Sequence, residues 1–210
     1  MKLYCLSGLG VDHRAFQNLQ LEGVEMVHIA WIPPQKKESL KSYAQRLFES
    51  QNIPEDYNLI GVSFGGMIAQ EFAKIRKPKN LFLISTIRNK SELPFKLKIA
   101  GNLRLDKIAP ILLLKSGNAL TYYFFGVKKV EDKALLKQIL KDTNGKFLRW
   151  AMRAILNWDK TENVGGTSIH GTKDRILKNH STEHPILGAG HFMIVTHADE
   201  VKDAVMKNWL

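Results

Sequence analysis

Tyr57-Asn58-Leu59-Ile60-Gly61-Val62-Ser63-Phe64-Gly65-Gly66-Met67-Ile68-Ala69 is the stretch from which the fold of this chain can be read. Tyr57–Val62 is a short apolar run of strand type, and Met67–Ile75 has helical spacing. Between them stands a G-x-S-x-G pattern, Gly61 to Gly65, with a further glycine at 66. The spacing has a steric reason. A serine on a strand-to-helix turn needs neighbours without bulk two residues before and two after it, so that the backbones can pass. The helix that follows aims its first N–H groups at any oxyanion formed beside that serine. As a bare pattern G-x-S-x-G is common; its position between a strand and a helix gives it weight.

Working outward, the same rhythm repeats. Lys2–Leu6 predicts a buried strand broken by Ser7-Gly8-Leu9-Gly10, and Asp12 stands where a helix N-cap belongs. Val24–Trp31 predicts a second strand, stopped by Pro33-Pro34. Ser39–Gln51 predicts a helix with Leu40, Tyr43, Ala44, Leu47 and Phe48 on one stripe, and Asn80–Ile87 predicts a fourth strand. From Arg88 to Lys160 the strands stop. Helical stripes replace them, one of Leu135, Leu136, Ile139 and Leu140, another of Phe147, Trp150, Ala151, Ala154, Ile155 and Trp158. Strand patterns return at Ser168-Ile169-His170 and Pro185-Ile186-Leu187, and Asp199–Trp209 closes as a helix. Alternating strands and helices imply a mostly parallel sheet covered on both faces. The expectation is an α/β core of residues 1–87 and 161–210, interrupted by a helical insertion at 88–160.

Composition narrows the function classes. The 210 residues are 44% apolar and carry one cysteine, Cys5, which excludes an intramolecular disulfide framework and any Cys-based zinc cluster. No apolar run approaches the roughly 18–20 residues of a membrane span. The N-terminus meets a turn after one short apolar stretch, unlike a signal peptide, so a cytoplasmic protein is expected. No metal constellation, nucleotide fingerprint or Gly-rich phosphate loop stands out, and no cofactor is expected. The net charge of +11 is concentrated: residues 88–160 hold 16 Lys and Arg against 6 Asp and Glu. An electropositive surface for nucleic acid, anionic lipid or an acidic substrate is one reading. Lysines spaced along helices with no aromatic-basic pattern favour the other, a solvated helical layer.

A serine nucleophile needs a base, and the base needs an orienting acid. Seven histidines compete. His28 lies inside a strand pattern, His170 ends a strand and suits packing, and Pro185 argues against a helical metal pair of His180 and His184; His13 and His197 carry no comparable signal. His191 stands in Leu187-Gly188-Ala189-Gly190-His191-Phe192, a small-residue loop just past a strand. Asp174, in Gly171-Thr172-Lys173-Asp174, also follows a strand. Catalytic groups of open α/β sheets collect at the carboxyl ends of strands. Ser63, Asp174 and His191 all fall there, in that chain order.

These blocks together resemble the α/β-hydrolase family: Ser7-Gly8-Leu9-Gly10, Gly61 to Gly66, Gly171 to Asp174 and Gly188 to Phe192. The similarity covers 1–87 and 161–210. It implies Ser63 as nucleophile, His191 as general base and Asp174 as its orienting acid, with the oxyanion hole at the backbone N–H groups of Leu9 and Phe64. It also implies that 88–160 is a helical lid. Serine at the turn, not aspartate, argues against the haloalkane dehalogenase and epoxide hydrolase branches. Where many members have His-Gly in the first loop this chain has Ser7-Gly8, a small departure because the donor there is a backbone N–H. The activity implied is hydrolysis of a small-molecule acyl ester or thioester through an acyl-enzyme. Carbon–carbon bond hydrolases and amidases use the same triad. A non-catalytic basic binding or sensor module is the alternative of another class.

Overall fold

In the computed structural model the run Leu3-Tyr4-Cys5-Leu6 splits by parity, as side chains on a strand must. Leu3 and Cys5 join one hydrophobic cluster, Tyr4 and Leu6 the other. The structure describes residues 1–95, 115–158, 163–178 and 182–209. Six strands form one sheet: β1 (Lys2–Leu6), β2 (Glu25–His28), β3 (Asn58–Val62), β4 (Asn80–Ile84), β5 (Thr167–Gly171) and β6 (His184–Ile186). Their spatial order is β2-β1-β3-β4-β5-β6, and every pairing is parallel. The chain therefore reverses its direction of winding between β1 and β3, which opens a crevice at their carboxyl ends.

Helices cover both faces. On one lie α1 (Leu40–Glu49) and α2 (Phe64–Ile75), packed through Tyr43, Leu47, Met67 and Phe72 against Leu59, Leu81 and Leu83. On the other lies α7 (Ala198–Lys207), preceded by the short α6 (Met193–Thr196), with Val201 and Val205 beside Ile60, Phe82 and Ile169. Asp12 caps a short 3-10 turn, His13–Phe16, by accepting from the Arg14 N–H. The described residues of 88–160 contain no strand; they include a short 3-10 turn, Lys90–Glu92, and the helices α3 (Ala119–Phe125), α4 (Val130–Asp142) and α5 (Gly145–Leu156). Leu136, Ile139 and Leu140 of α4 join the first cluster; Phe147, Ala151 and Ala154 of α5 join the second. The helical stripes thus extend both cores. Among the described residues no helix is long and apolar enough to cross a membrane.

Three boundaries differ from expectation. β4 stops at Ile84, not Ile87, because Ser85 takes a left-handed φ of 46° and turns the chain out of the sheet. The helix expected from Met67 starts at Phe64, directly on the serine, since the tight turn leaves no spacer. β2 ends at His28; Ile29 makes one more sheet bond, to the Cys5 carbonyl, before the edge strand departs.

Candidate active site

The turn after β3 is built by what its neighbours lack. Ser63 sits at φ 54°, ψ −116°, strained for a residue with a side chain. A Cβ on Gly61 would stand 2.5 Å from the Gly65 carbonyl oxygen, and one on Gly65 would strike the carbonyl oxygens of Leu6 and Ser7. Glycine is required at both. The strain is held from two sides: Ser63 N–H donates to the Ile84 carbonyl at 2.8 Å, and the Thr86 hydroxyl donates to the Ser63 carbonyl at 2.7 Å. The result is a half-buried serine at the helix N-terminus, with Phe64 fully buried behind it.

The structure brings the three residues of the expected triad together. His191 Nε2 lies 2.9 Å from Ser63 Oγ, and His191 Nδ1 lies 2.7 Å from Asp174 Oδ2. With Asp174 ionised, Nδ1 carries the proton and donates, which leaves Nε2 as the acceptor of the serine hydroxyl. Asp174 is buried and surrounded by donors. Its Oδ1 accepts from the backbone N–H groups of Ile176 at 2.8 Å and Leu177 at 2.9 Å. Burial pushes its carboxyl up, but the facing His191 and the hydrogen bonds from His170 and His191 outweigh this and hold it well below the usual carboxylate range. The loops that carry Asp174 and His191 are stitched to each other: Lys173 N–H donates to the Ala189 carbonyl, and Gly188 N–H to the Thr172 hydroxyl.

Of the two expected oxyanion donors, Phe64 follows the serine directly, and Leu9 belongs to the first glycine loop, which runs beside it. A Cβ on Gly8 would stand 3.5 Å from Ser63 Cβ, so the loop passes the serine with room for little more than a methyl group between them. Among the described residues neither the Leu9 nor the Phe64 N–H meets an acceptor. For Phe64 this follows from its place as the first residue of α2. The loop is held from behind by the Thr143 hydroxyl at the end of α4, which donates to the Gly10 carbonyl at 2.8 Å.

Sequence reasoning passed over His170. It is buried, and its Nε2 lies 2.6 Å from the Leu177 carbonyl oxygen and 3.1 Å from the same Asp174 Oδ2 that faces His191. The Leu177 carbonyl can only accept, so His170 Nε2 carries the proton and donates to it, with the Asp174 carboxylate as a second, longer contact of the same N–H. The tight turn in which Asp174 N–H returns to the Gly171 carbonyl brings positions 170 and 174 together, and no pattern of residue types announces that geometry. Phe125 was also unforeseen. It packs edge-on to the His191 ring at 5.7 Å, and its carbonyl accepts from Phe192 N–H at 3.0 Å. The remaining described histidines stay apart from the triad: His13 and His28 contact each other, His184 opens β6, and His197 bonds the Thr196 hydroxyl. His180 lies outside the described residues.

No protein-family model matches the chain, and no curated protein does. Solved structures do. A hydrolase from Pseudomonas aeruginosa superposes with a TM-score of 0.73 at 16% identity, over 98% of this chain and 88% of that one. An esterase from Exiguobacterium antarcticum superposes at 0.71 and 14%, over 99% and 91%. A bromoperoxidase from Bacillus anthracis superposes at 0.64 and 13%, over 98% and 90%. Identities this low speak for architecture and not for substrate. The parallel sheet, its strand order and these superpositions agree: the chain has the α/β-hydrolase fold.

Proposed function

We propose that this chain is a serine hydrolase that cleaves an ester or thioester of a small to medium carboxylic acid through an acyl-enzyme. The observation that carries the reading is the unbroken hydrogen-bonded line from Ser63 Oγ through His191 to Asp174, at 2.9 and 2.7 Å. Ser63 Oγ attacks the acyl carbon while its proton passes to His191 Nε2. The imidazolium so formed faces the Asp174 carboxylate, which stays ionised and holds the ring in the productive tautomer. The tetrahedral oxyanion accepts from the Leu9 and Phe64 N–H groups; one such donor is worth about 10²–10³ in kcat. Collapse expels the alkoxide or thiolate, which takes the proton from His191. Water then repeats the sequence on the acyl-enzyme, releasing the carboxylic acid and returning the proton to Ser63. Residues 88–160 act as the lid whose side chains choose the acyl group.

Labelling with a fluorophosphonate, located by mass spectrometry, tests the nucleophile without a known substrate. Modification at Ser63 that is absent in Ser63→Ala is expected. Hydrolysis of a short-chain p-nitrophenyl ester should fall on the order of 10³-fold or more in the same variant, because triad members act as a unit. A folded Ser63→Ala protein that keeps wild-type turnover would overturn the assignment. A panel of acyl esters and thioesters then ranks the substrate classes.

A further inference from the structure

A second concavity stands apart from the triad. It is a groove of about 1120 Å³ between the segment 34–40 and helix α5, and none of Ser63, Asp174, His191, Leu9 or Phe64 lines it. Its floor includes buried Leu40 and Ala154 and half-buried Trp150; its rim carries Lys36, Lys37, Lys146, Arg149 and Arg153. The three cations on α5 recur at intervals of three and four, so they form one stripe about 10 Å long at 1.5 Å per residue. Lys36 and Lys37 face them from the opposite wall.

Four of these cations, Lys36, Lys37, Lys146 and Arg153, have no counter-charge among the described residues, and they gather in one concavity. Arg14, Arg46 and Arg88 each sit on a carboxylate. Among the described residues no side-chain ion pair or hydrogen bond engages Lys36, Lys37, Lys146 or Arg153. Among the described lining residues the one carboxylate, Glu38, is turned away: its side chain is 4% exposed, and it accepts from Arg46 Nε and Nη2 and from the Gln35 N–H. The N-termini of α1 and α5 also open on the groove, but Ser39 and Asn144 already cap them, so the side chains carry the argument. Like charges gathered in a concavity with apolar walls focus their field into it. The Trp150 N–H is fixed on the Glu38 carbonyl at 2.9 Å, which ties the two walls together and sets the indole in place.

We propose that this groove is a second binding site, for a compact ligand with several phosphate groups and a planar apolar body, of the nucleoside polyphosphate class. The phosphates pair with Lys36, Lys37, Lys146 and Arg153 at the rim, and the planar body lies on the apolar floor at Trp150. The site is independent of the hydrolytic reading, and its occupant is not the acyl substrate.

Isothermal titration calorimetry of the full chain at low salt, with ATP, tripolyphosphate and inorganic phosphate as probes, tests this. ATP should bind more tightly than tripolyphosphate, and tripolyphosphate more tightly than phosphate. The combined variant K36Q/K37Q/K146Q/R153Q should lose about 30-fold or more in ATP affinity, as four weak pairings compound. Ser63→Ala should bind ATP like the wild type, which separates this test from that of the hydrolase. A control that removes four charges on and beside α4, K128Q/K129Q/K137Q/K141Q, should also bind normally; equal loss there would reduce the site to general charge and overturn the proposal. So would no ATP binding at millimolar concentration. Tighter binding of a 20-base-pair DNA duplex than of ATP, lost in the first variant, would overturn it in favour of a nucleic-acid surface.

Discussion

Replacing Asp174 by asparagine removes a charge while leaving the side chain's shape almost unchanged, and the contacts around it determine the outcome. Three N–H groups are hydrogen-bonded to this carboxylate, Ile176 and Leu177 at Oδ1 and His191 at Oδ2, and His170 Nε2, bonded to the Leu177 carbonyl, lies 3.1 Å from Oδ2. An amide has one oxygen for them, so its NH₂ must face one side. Backbone amides cannot give up a proton and imidazoles can, so the oxygen stays with Ile176 and Leu177 and the NH₂ turns to the histidines. His191 then presents a lone pair at Nδ1 and carries its proton at Nε2, against Ser63 Oγ, where a base is needed. Restoring the working tautomer sets N–H against N–H in a buried site, at about 1–3 kcal/mol for each unpaired donor, and the charge-assisted bond worth about 1.5–3 kcal/mol is gone. A total near 4–6 kcal/mol is about 10³–10⁴-fold in rate. The assay is the second-order rate constant for fluorophosphonate modification of Ser63, run beside p-nitrophenyl acetate hydrolysis and a thermal melt. A folded Asp174→Asn protein within about tenfold of wild type would refute the role given to the carboxylate.

Other perturbations follow from the same contacts. His170→Phe removes the N–H that the Leu177 carbonyl and, at 3.1 Å, Asp174 Oδ2 share, and should lower kcat about 2–10-fold with KM unchanged, the worth of one ordinary hydrogen bond; His170→Gln, which keeps a donor, should recover most of it, and wild-type kcat in His170→Phe would make the contact incidental. Gly65→Ala drives a methyl group into the Leu6 and Ser7 carbonyls and should cost about 1–3 kcal/mol in urea denaturation, whereas an unchanged midpoint would mean that the turn relaxes freely. Because the folded-state carboxyl of Asp174 is held below its unfolded value of about 3.9, its ionisation stabilises the protein fully above that value and loses its effect as pH falls through the folded one. The stability gap between wild type and Asp174→Asn should therefore be steady above about pH 5 and narrow toward pH 3; urea midpoints that keep the same gap at pH 3 would contradict the shift.

Ser63, Asp174 and His191 were legible because each announces itself locally. The serine needs glycines around it, and the acid and base follow strand patterns on short small-residue loops. The parallel sheet was legible for a similar reason, since each strand is a short apolar run closed by a turn. What was not legible depends on how the chain folds back between elements. His170 looked like packing because its partner is fixed by the turn at Gly171, not by a pattern. Phe125 was invisible because nothing local says which base loop it will meet. The rim of the basic groove was hidden in the same way: Lys36 and Lys37 lie over a hundred residues from Lys146, and charge counts along the chain cannot tell a groove from a solvated face.

The contact between α3 and the base loop has a consequence for how this protein can be recombined. Gly126, at the end of α3, stands so close to Gly190 that a Cβ on it would come within 2.7 Å of the Gly190 Cα, and the Phe125 carbonyl holds the N–H of Phe192. The loop that presents His191 is thus moulded on the helical segment, as the Gly10 loop is by Thr143. That segment cannot be exchanged as a cassette. A chimera carrying another protein's helices between β4 and β5 would inherit a base loop cut to fit a surface it no longer has.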